Sequence, residues 1–368
     1  MVKLCEIISA AERLAPEDLA CEWDNVGLQV GNKTSEITRV LISLDINNEV
    51  IDEAIKKDCQ LIMAHHPLIF KGVKIITEDS YQGQLLYKAI QNNLNIYIMH
   101  TNLDLAQNGL NDYLASILEV DVIDILDVTQ EQDLFKLVVF IPVDHFEKVK
   151  SGILEAGAGH IGNYSHTSFS LKGQGSFKPL KGSNPYIGQE DQVSRVDEYR
   201  METIVDKKDL KYVLEIMHNL HPYEEVAYDL YPLYNPVSEY GLGRLGKLKK
   251  EIKLMDYLEL IKERLSIQQI KYIGQDNIPI KRVALCSGSG AELIPLSSAK
   301  GADVYITSDI KYHEAQLAEQ HGIALIDAGH FHTENIVKKL LYEYFTKEFD
   351  DIDIIESDII TDPWKYLD

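Results

Sequence analysis

Two hydrophobic spacings alternate along the first ~125 residues. KLCEIISAAERLA (3–15) carries apolar residues at helical intervals and is stopped by Pro16. RVLISLD (39–45) is a short, nearly continuous apolar run, read as a buried strand. NNEVIDEAIKK returns to helical spacing, with Asn at its start as a cap. The same pairing repeats as strand QLIMA (60–64) with helix GQLLYKAIQNN, then strand NIYIM (95–99) with helix GLNDYLASILEV. Short apolar runs alternating with amphipathic segments predict an α/β layer on a mostly parallel sheet.

Near residue 130 the pattern changes. LFKLVVFIPVDHFEKVKSGILEAG followed by HTSFSLKGQGSF reads as strand, helix, strand. A Gly/Pro/Asn-rich stretch, GQGSFKPLKGSNPYIGQ, separates this from RVDEYRMETIVD, LKYVLEIMHNL and VAYDLYPL, a second strand–helix–strand. That order is the ferredoxin-like arrangement, expected as an α+β domain inserted at 131–235. YNPVSEYGLGRLG (234–246) is expected to be the return crossing, and KLKK (247–250) a solvated loop. Beyond ~245 the α/β alternation resumes: helix IKLMDYLELIKERL, strand RVALC, strand DVYIT, helix KYHEAQLAEQHG, strand IALIDA and one long helix from HFHTENIVKKLLYEYF. The expected fold is a discontinuous two-lobed α/β domain, 1–128 and 242–368, carrying the insert.

Composition narrows the function classes. Of 368 residues, 58 are acidic and 36 basic, a formal charge of −22, which disfavours a phosphate-backbone partner such as nucleic acid. No apolar run approaches the ~20 residues that cross a bilayer, so no membrane association is expected. The amphipathic start, MVKLCEIISAAERLAP, does not read as a secretory leader. Cys5, Cys21, Cys59 and Cys286 are scattered, without a C-x-x-C pair, so neither a disulfide framework nor a thiolate zinc site is indicated. A cytoplasmic location is the expectation.

The chemistry gathers where strands end. LIMAHHPLIF (61–70) runs into His65-His66 and then Pro67; NIYIM leads to His100 and Asp104; IALIDAG leads to His330 and Glu334. In open α/β sheets ligands sit beyond the carboxyl ends of the strands. A helix beginning at His330 sets His330 and Glu334 on one face. His65, His66, Asp104, His330 and Glu334 are therefore expected to converge. Three imidazoles and two carboxylates without sulfur suit zinc, ferrous iron or manganese. Five ligands exceed what one open catalytic ion needs, which points to two divalent ions per chain, zinc being the leading expectation. His100, four residues before Asp104, is a candidate acid–base group or outer partner of the centre, with a hydrogen-bonded rim histidine equally open. His332 is expected to point elsewhere; His313 either lines the cleft or faces solvent. SGSG (287–290) is either a phosphate-binding helix start or a tight turn, and Trp23-Asp24-Asn25 is read as structural more than cleft-shaping. HPYEE (221–225) is read as a turn.

LIMAHHPLIF, MHTNLD, LIDAGHFHTE and CEWDNVGLQVG (21–31), in this order, resemble the signature blocks of the GTP cyclohydrolase 1 type 2 homolog (Ngg-interacting factor three-like) family. The resemblance covers roughly 1–125 and 240–368. It implies a dinuclear metal centre held by His65, His66, Asp104, His330 and Glu334, and a ring-like homohexamer. It also implies that 131–235, with GAGHIGNYS and HPYEE, is a PII/CutA-like insert. One departure is Ser308 before Asp309, where the family often has glycine. Two functions follow as expectations. One is a metal-dependent hydrolase acting on a nucleotide-like small molecule, with GTP itself unselected by any motif. The other is a metal-binding regulatory or scaffold protein whose ring presents the insert to partners.

Overall fold

The computed structural model of the chain describes residues 1–131, 133–162, 164–235 and 239–365. The chain divides into two compact units, Met1–Gln130 with Tyr240–Asp368, and Glu131–Glu239. It is a mixed α/β protein built on several sheets. Among the described residues, no helix is long and apolar enough to cross a membrane.

The first unit holds two sheets whose central strands are parallel. In one, Arg39–Ser43, Leu61–Ala64 and Asn95–Ile98 run parallel, joined at one edge by parallel Asp353–Glu356 and at the other by antiparallel Gly27–Val30. The central three strands are buried almost throughout, as strands covered on both faces must be. One face packs on the helices Leu4–Leu14 and Val337–Glu348 through Leu4, Ile7, Leu341 and Phe345. The other packs on Asn48–Lys56 and Tyr81–Gln91 through Val50, Ile51, Leu85 and Leu86. Asn47 caps the first of these, its side chain accepting the Val50 amide at 2.8 Å.

In the second sheet Pro279–Ser289, Val304–Ser308 and Ala324–Asp327 are parallel and Lys271–Ile273 is an antiparallel edge. Glu239–Lys253 pairs antiparallel with Pro279–Ser289. Leu254–Leu265 covers one face, and Tyr312–His321 the other. Two expectations are corrected here. The return crossing and the KLKK cluster belong to one long strand, Glu239–Lys253, whose ladder shifts register between Lys247 and Ile252. Leu248 is buried in that strand while Lys247, Lys249 and Lys250 face water, so charge on one side hid a strand. Pro236, Val237 and Ser238 of the expected crossing lie outside the described residues. The expected last long helix is broken: His330–Glu334 is a short helix, and Val337–Glu348 starts anew after Asn335 and Ile336.

Arg244 in the long strand is almost fully buried. Its guanidinium donates to both Asp112 carboxylate oxygens (2.7 and 2.9 Å) and to the carbonyls of Ala106, Gly241 and Gly243. These contacts link the helix Leu110–Ile117, which follows the first sheet, to the second sheet.

The second unit strings strand Leu134–Pro142, helix Phe146–Glu155, strands Ser168–Phe177 and Ser194–Asp206, helix Lys207–Leu220 and strand Tyr228–Pro232. The strands pair antiparallel, with the last beside the first, then the third, then the second. This β-α-β-β-α-β order is the ferredoxin-like arrangement. Its core joins one sheet face to both helices through Val139, Ile141, Val149, Met201, Val213 and Met217.

Replacing Arg244 by Met strips five hydrogen bonds and leaves buried carbonyls and the Asp112 carboxylate without their donor. The expected cost is about 3–5 kcal/mol, read as a lower urea midpoint at unchanged slope; a loss under ~1 kcal/mol would contradict this role.

Candidate metal centre

The carboxyl ends of both parallel sheets contribute to one cluster within the first unit. His65 and His66 follow Leu61–Ala64 directly, and His100 follows Asn95–Ile98 and precedes the helix Thr101–Leu105 that carries Asp104. From the other sheet come Ser287 and Gly288 at the end of Pro279–Ser289, Asp309 after Val304–Ser308, and the helix His330–Glu334 after Ala324–Asp327. Helical spacing places His330 and Glu334 together, with Nε2 and Oε2 2.9 Å apart.

Four imidazoles share one design, each held through Nδ1. His65 Nδ1–H donates to the Met99 carbonyl at 2.7 Å. His66, His100 and His330 pair through Nδ1 with Asp45 (2.6 Å), Asp24 (2.9 Å) and Asp309 (2.7 Å). Such outer partners fix ring orientation and leave Nε2 for a ligand. Nε2 of His66 lies 2.9 Å from Glu334 Oε2. The ring centroids of His65 lie 5.2 Å from His66 and 5.1 Å from His100, and His66 lies 5.5 Å from His330. Two overlapping triads offer ligand atoms mutually within 4.8 Å: His65, His66 and His100; and His66, His330 and Glu334.

His65 tests the chemistry most sharply. It is fully buried, and a carbonyl can only accept, so its proton sits on Nδ1 and Nε2 presents a bare lone pair. Among the described residues that Nε2 has no hydrogen-bond partner. It faces Asp104 Oδ1 at 3.7 Å and Glu334 Oε1 at 4.0 Å. A lone pair confronting two carboxylate oxygens is unfavourable unless a cation lies among them. The donor set therefore fits a divalent ion.

Without an ion, the same groups shift one another's protonation strongly. Burial, joined by the charges of His100 and His66 and opposed by Glu334, pulls the His65 imidazole down to about 3. Burial also lifts the Asp104 carboxyl, with Glu334 adding to the rise, to about 7, although His100, His66 and a hydrogen bond from Ser287 oppose it. Burial opposes ionisation of Glu334, but hydrogen bonds from His330 and His66 prevail and hold it well below the usual range. For His66 burial works downward, yet Asp45 and Glu334 raise it to about 10. The hydrogen bond with Glu334 leads in raising His330 to about 9.

All five residues expected as ligands meet here, and His100 stands among them instead of beyond them, its Nδ1 held by Asp24. Sequence reasoning missed three orienting carboxylates, Asp24, Asp45 and Asp309. In the sequence Asp24 is visible only within Trp23-Asp24-Asn25, whose pattern favours a structural role; it also accepts from the Thr101 amide and hydroxyl (3.1 and 2.5 Å). Asp309 adopts a positive φ of 58°, beside a buried Ser308 whose hydroxyl donates to the Gly288 carbonyl. SGSG also has a use not foreseen. Gly288 has φ +60°, and a Cβ there would come within 2.0 Å of Glu334 Oε1, so its bareness makes room for the carboxylate. His332 turns away, its Nδ1–H donating to the Leu265 carbonyl at 3.2 Å, and exposed His313 pairs with Gln316. His66 and His330 open onto a cavity of about 670 Å³ also lined by Lys271, Asp327 and Trp364.

A model of the Duf34/NIF3 (NGG1p interacting factor 3) family matches residues 2–363. The chain is 40% identical over 366 residues to the GTP cyclohydrolase 1 type 2 homolog of Bacillus subtilis, covering 98% of each. A Bacillus cereus protein related to NIF3 superposes with TM-score 0.82 at 40% identity, over 100% of this chain and 99% of that one. Staphylococcus aureus protein SA1388 gives 0.78 at 34% identity, over 100% and 99%.

For the metal-free protein, the raised imidazoles of His66 and His330 contribute stability fully below their ordinary value of 6.5 and lose it as pH rises through 9–10. Raised Asp104 also stabilises less as pH rises toward 7, whereas neutral His65 and depressed Glu334 make acidification costly. Urea midpoints of chelator-stripped protein should therefore peak near pH 6 and fall toward pH 10, and a divalent cation should flatten the alkaline fall. A flat metal-free profile from 6 to 10 would contradict this electrostatic reading.

Proposed function

The chain belongs to the Duf34/NIF3 family, and from that premise we propose that it is a dinuclear divalent-metal protein acting as a hydrolase on a nucleotide-like small molecule. The observation carrying this reading is the orphaned Nε2 of buried His65 facing Asp104 and Glu334. Zinc suits the donor set best; iron and manganese are the alternatives. His65, His66, His100, Asp104, His330 and Glu334 are the proposed ligands, His100 now counted with them on geometry.

Two divalent ions, when bound, supply Lewis acidity and lower the pKa of water toward neutrality. The protein's own groups do the rest. Asp24, Asp45 and Asp309 keep three imidazoles in the tautomer that turns Nε2 inward. Glu334 directs Oε2 toward His66 and His330 and Oε1 toward His65, so it would help hold an ion on either side. Ser287 donates to Asp104 Oδ1 at 3.3 Å and holds that carboxylate's rotamer. The adjoining cavity lies within the size range of small-molecule sites, and exposed Trp364 offers a face for a planar ring. The names of the relatives support a nucleotide of the GTP kind as the substrate to test first.

A second reading draws on the separate compact unit of residues 131–239 with its own core. In it, a ring-like homohexamer presents a PII/CutA-like insert to partners, and the ions serve structure or sensing. An assay of zinc-, iron- and manganese-loaded protein against nucleotides and phosphoesters separates the two. The hydrolase reading expects turnover that falls at least 100-fold in Asp104→Ala while the fold persists by circular dichroism. Background turnover unaltered by that change would favour the scaffold.

A further inference from the structure

The second unit contains a cavity of about 550 Å³, built wholly from its own residues. Its two helices cover only one face of the four-stranded sheet, and an antiparallel sheet ordinarily leaves its other face to water. Here part of that other face is roofed by the loop between Ser168–Phe177 and Ser194–Asp206, through residues including Pro179, Leu180 and Tyr186. The roof is fastened. The Asn184 amide donates to Glu224 Oε1 at 2.8 Å, and Tyr186 Oη donates to Asp144 Oδ2 at 3.1 Å.

At the floor stands Glu198, on the strand Ser194–Asp206, only 8% exposed. Tyr223 Oη donates to its Oε1 at 2.8 Å. The neighbouring strand gives way to it at Gly175, where a Cβ would fall 2.1 Å from Glu198 Oε2. Phe140, Phe177, Tyr186 and Tyr223 form the walls, with Tyr223 centred 6.0 Å from Phe177 and 6.3 Å from Tyr186. A carboxylate buried among rings is costly without a cation. The nearby cations are engaged elsewhere: Lys178 pairs with Asp191 at 2.9 Å and Arg200 with Glu202 at 3.1 Å. Among the described residues Glu198 forms no ion pair, and Glu224 and Glu225 add further negative charge to the lining.

We propose that this cavity binds a small organic cation, a primary amine or guanidinium on an aryl or alkyl body, with Glu198 taking the charged head and the rings enclosing the remainder. Rings around an anion favour such a ligand twice, by a charge-assisted hydrogen bond and by attraction of the cation to the ring faces. None of its lining residues belongs to the metal cluster.

The test uses the full-length protein and a fixed panel: phenethylamine, benzamidine and agmatine as cations, 2-phenylethanol as the neutral isostere and phenylacetate as the anionic one. Calorimetric titration should find saturable binding of at least one cation, with phenylethanol and phenylacetate about tenfold weaker or more. Glu198→Gln should weaken the cation about tenfold or more and leave phenylethanol unchanged. Phe177→Ala, which removes a wall and spares the carboxylate, should also weaken the cation and serves if Glu198→Gln does not fold. Binding should persist in Glu334→Ala, whose change lies in the metal cluster. The proposal is overturned if no cation saturates, if phenylacetate binds as well, if neither pocket substitution weakens the cation, or if Glu334→Ala abolishes binding.

Discussion

One lone pair constrains the site. The proton of His65 is committed to a backbone carbonyl, burial keeps the ring neutral, and Nε2 is left facing two carboxylates at 3.7 and 4.0 Å. Neutral imidazole and carboxylate do not attract across such a gap, and a buried acceptor without a donor is costly. The surrounding structure maintains the arrangement. Strand ends from two sheets deliver the rings, three aspartates lock three of them by Nδ1, and Gly288 vacates the space that Glu334 occupies. A bound divalent cation would resolve the conflict that these residues create together.

Much of this was legible in the chain because the signals were local. Short apolar runs ending in His65-His66, in His100 and before His330 announced both strands and site, and the i,i+4 spacing of His330 and Glu334 needed only a helix. The orienting carboxylates were not legible for the opposite reason. Asp24 lies 76 residues from His100, and Asp309 21 residues from His330. A lone aspartate in a loop looks alike whether it holds a ring or faces water. Glu239–Lys253 was hidden because three exposed lysines outweighed buried Leu248 in a reading by composition. The helix break at Asn335 had no Pro or Gly to mark it.

The two units manage negative charge by different means. In the first, carboxylates meet imidazoles, and Arg244 receives Asp112 within a mesh of carbonyl acceptors. In the second, Glu198 meets a tyrosine hydroxyl and rings, and among the described residues it forms no ion pair. Buried anions with incomplete partners thus occur at two separate places in a chain of formal charge −22, each beside a cavity large enough for a small molecule. The net charge by itself carries no such information; the positions of the buried carboxylates do.

Anomalous diffraction from crystals of protein purified without chelator, with data on both sides of the zinc, iron and manganese absorption edges, probes the centre directly. The account predicts two peaks per chain, one near His65 and His100 and the other near His66 and His330, with Asp104 and Glu334 in reach of the pair. No anomalous peak within reach of His65 Nε2, in crystals supplied with all three metals, would contradict it.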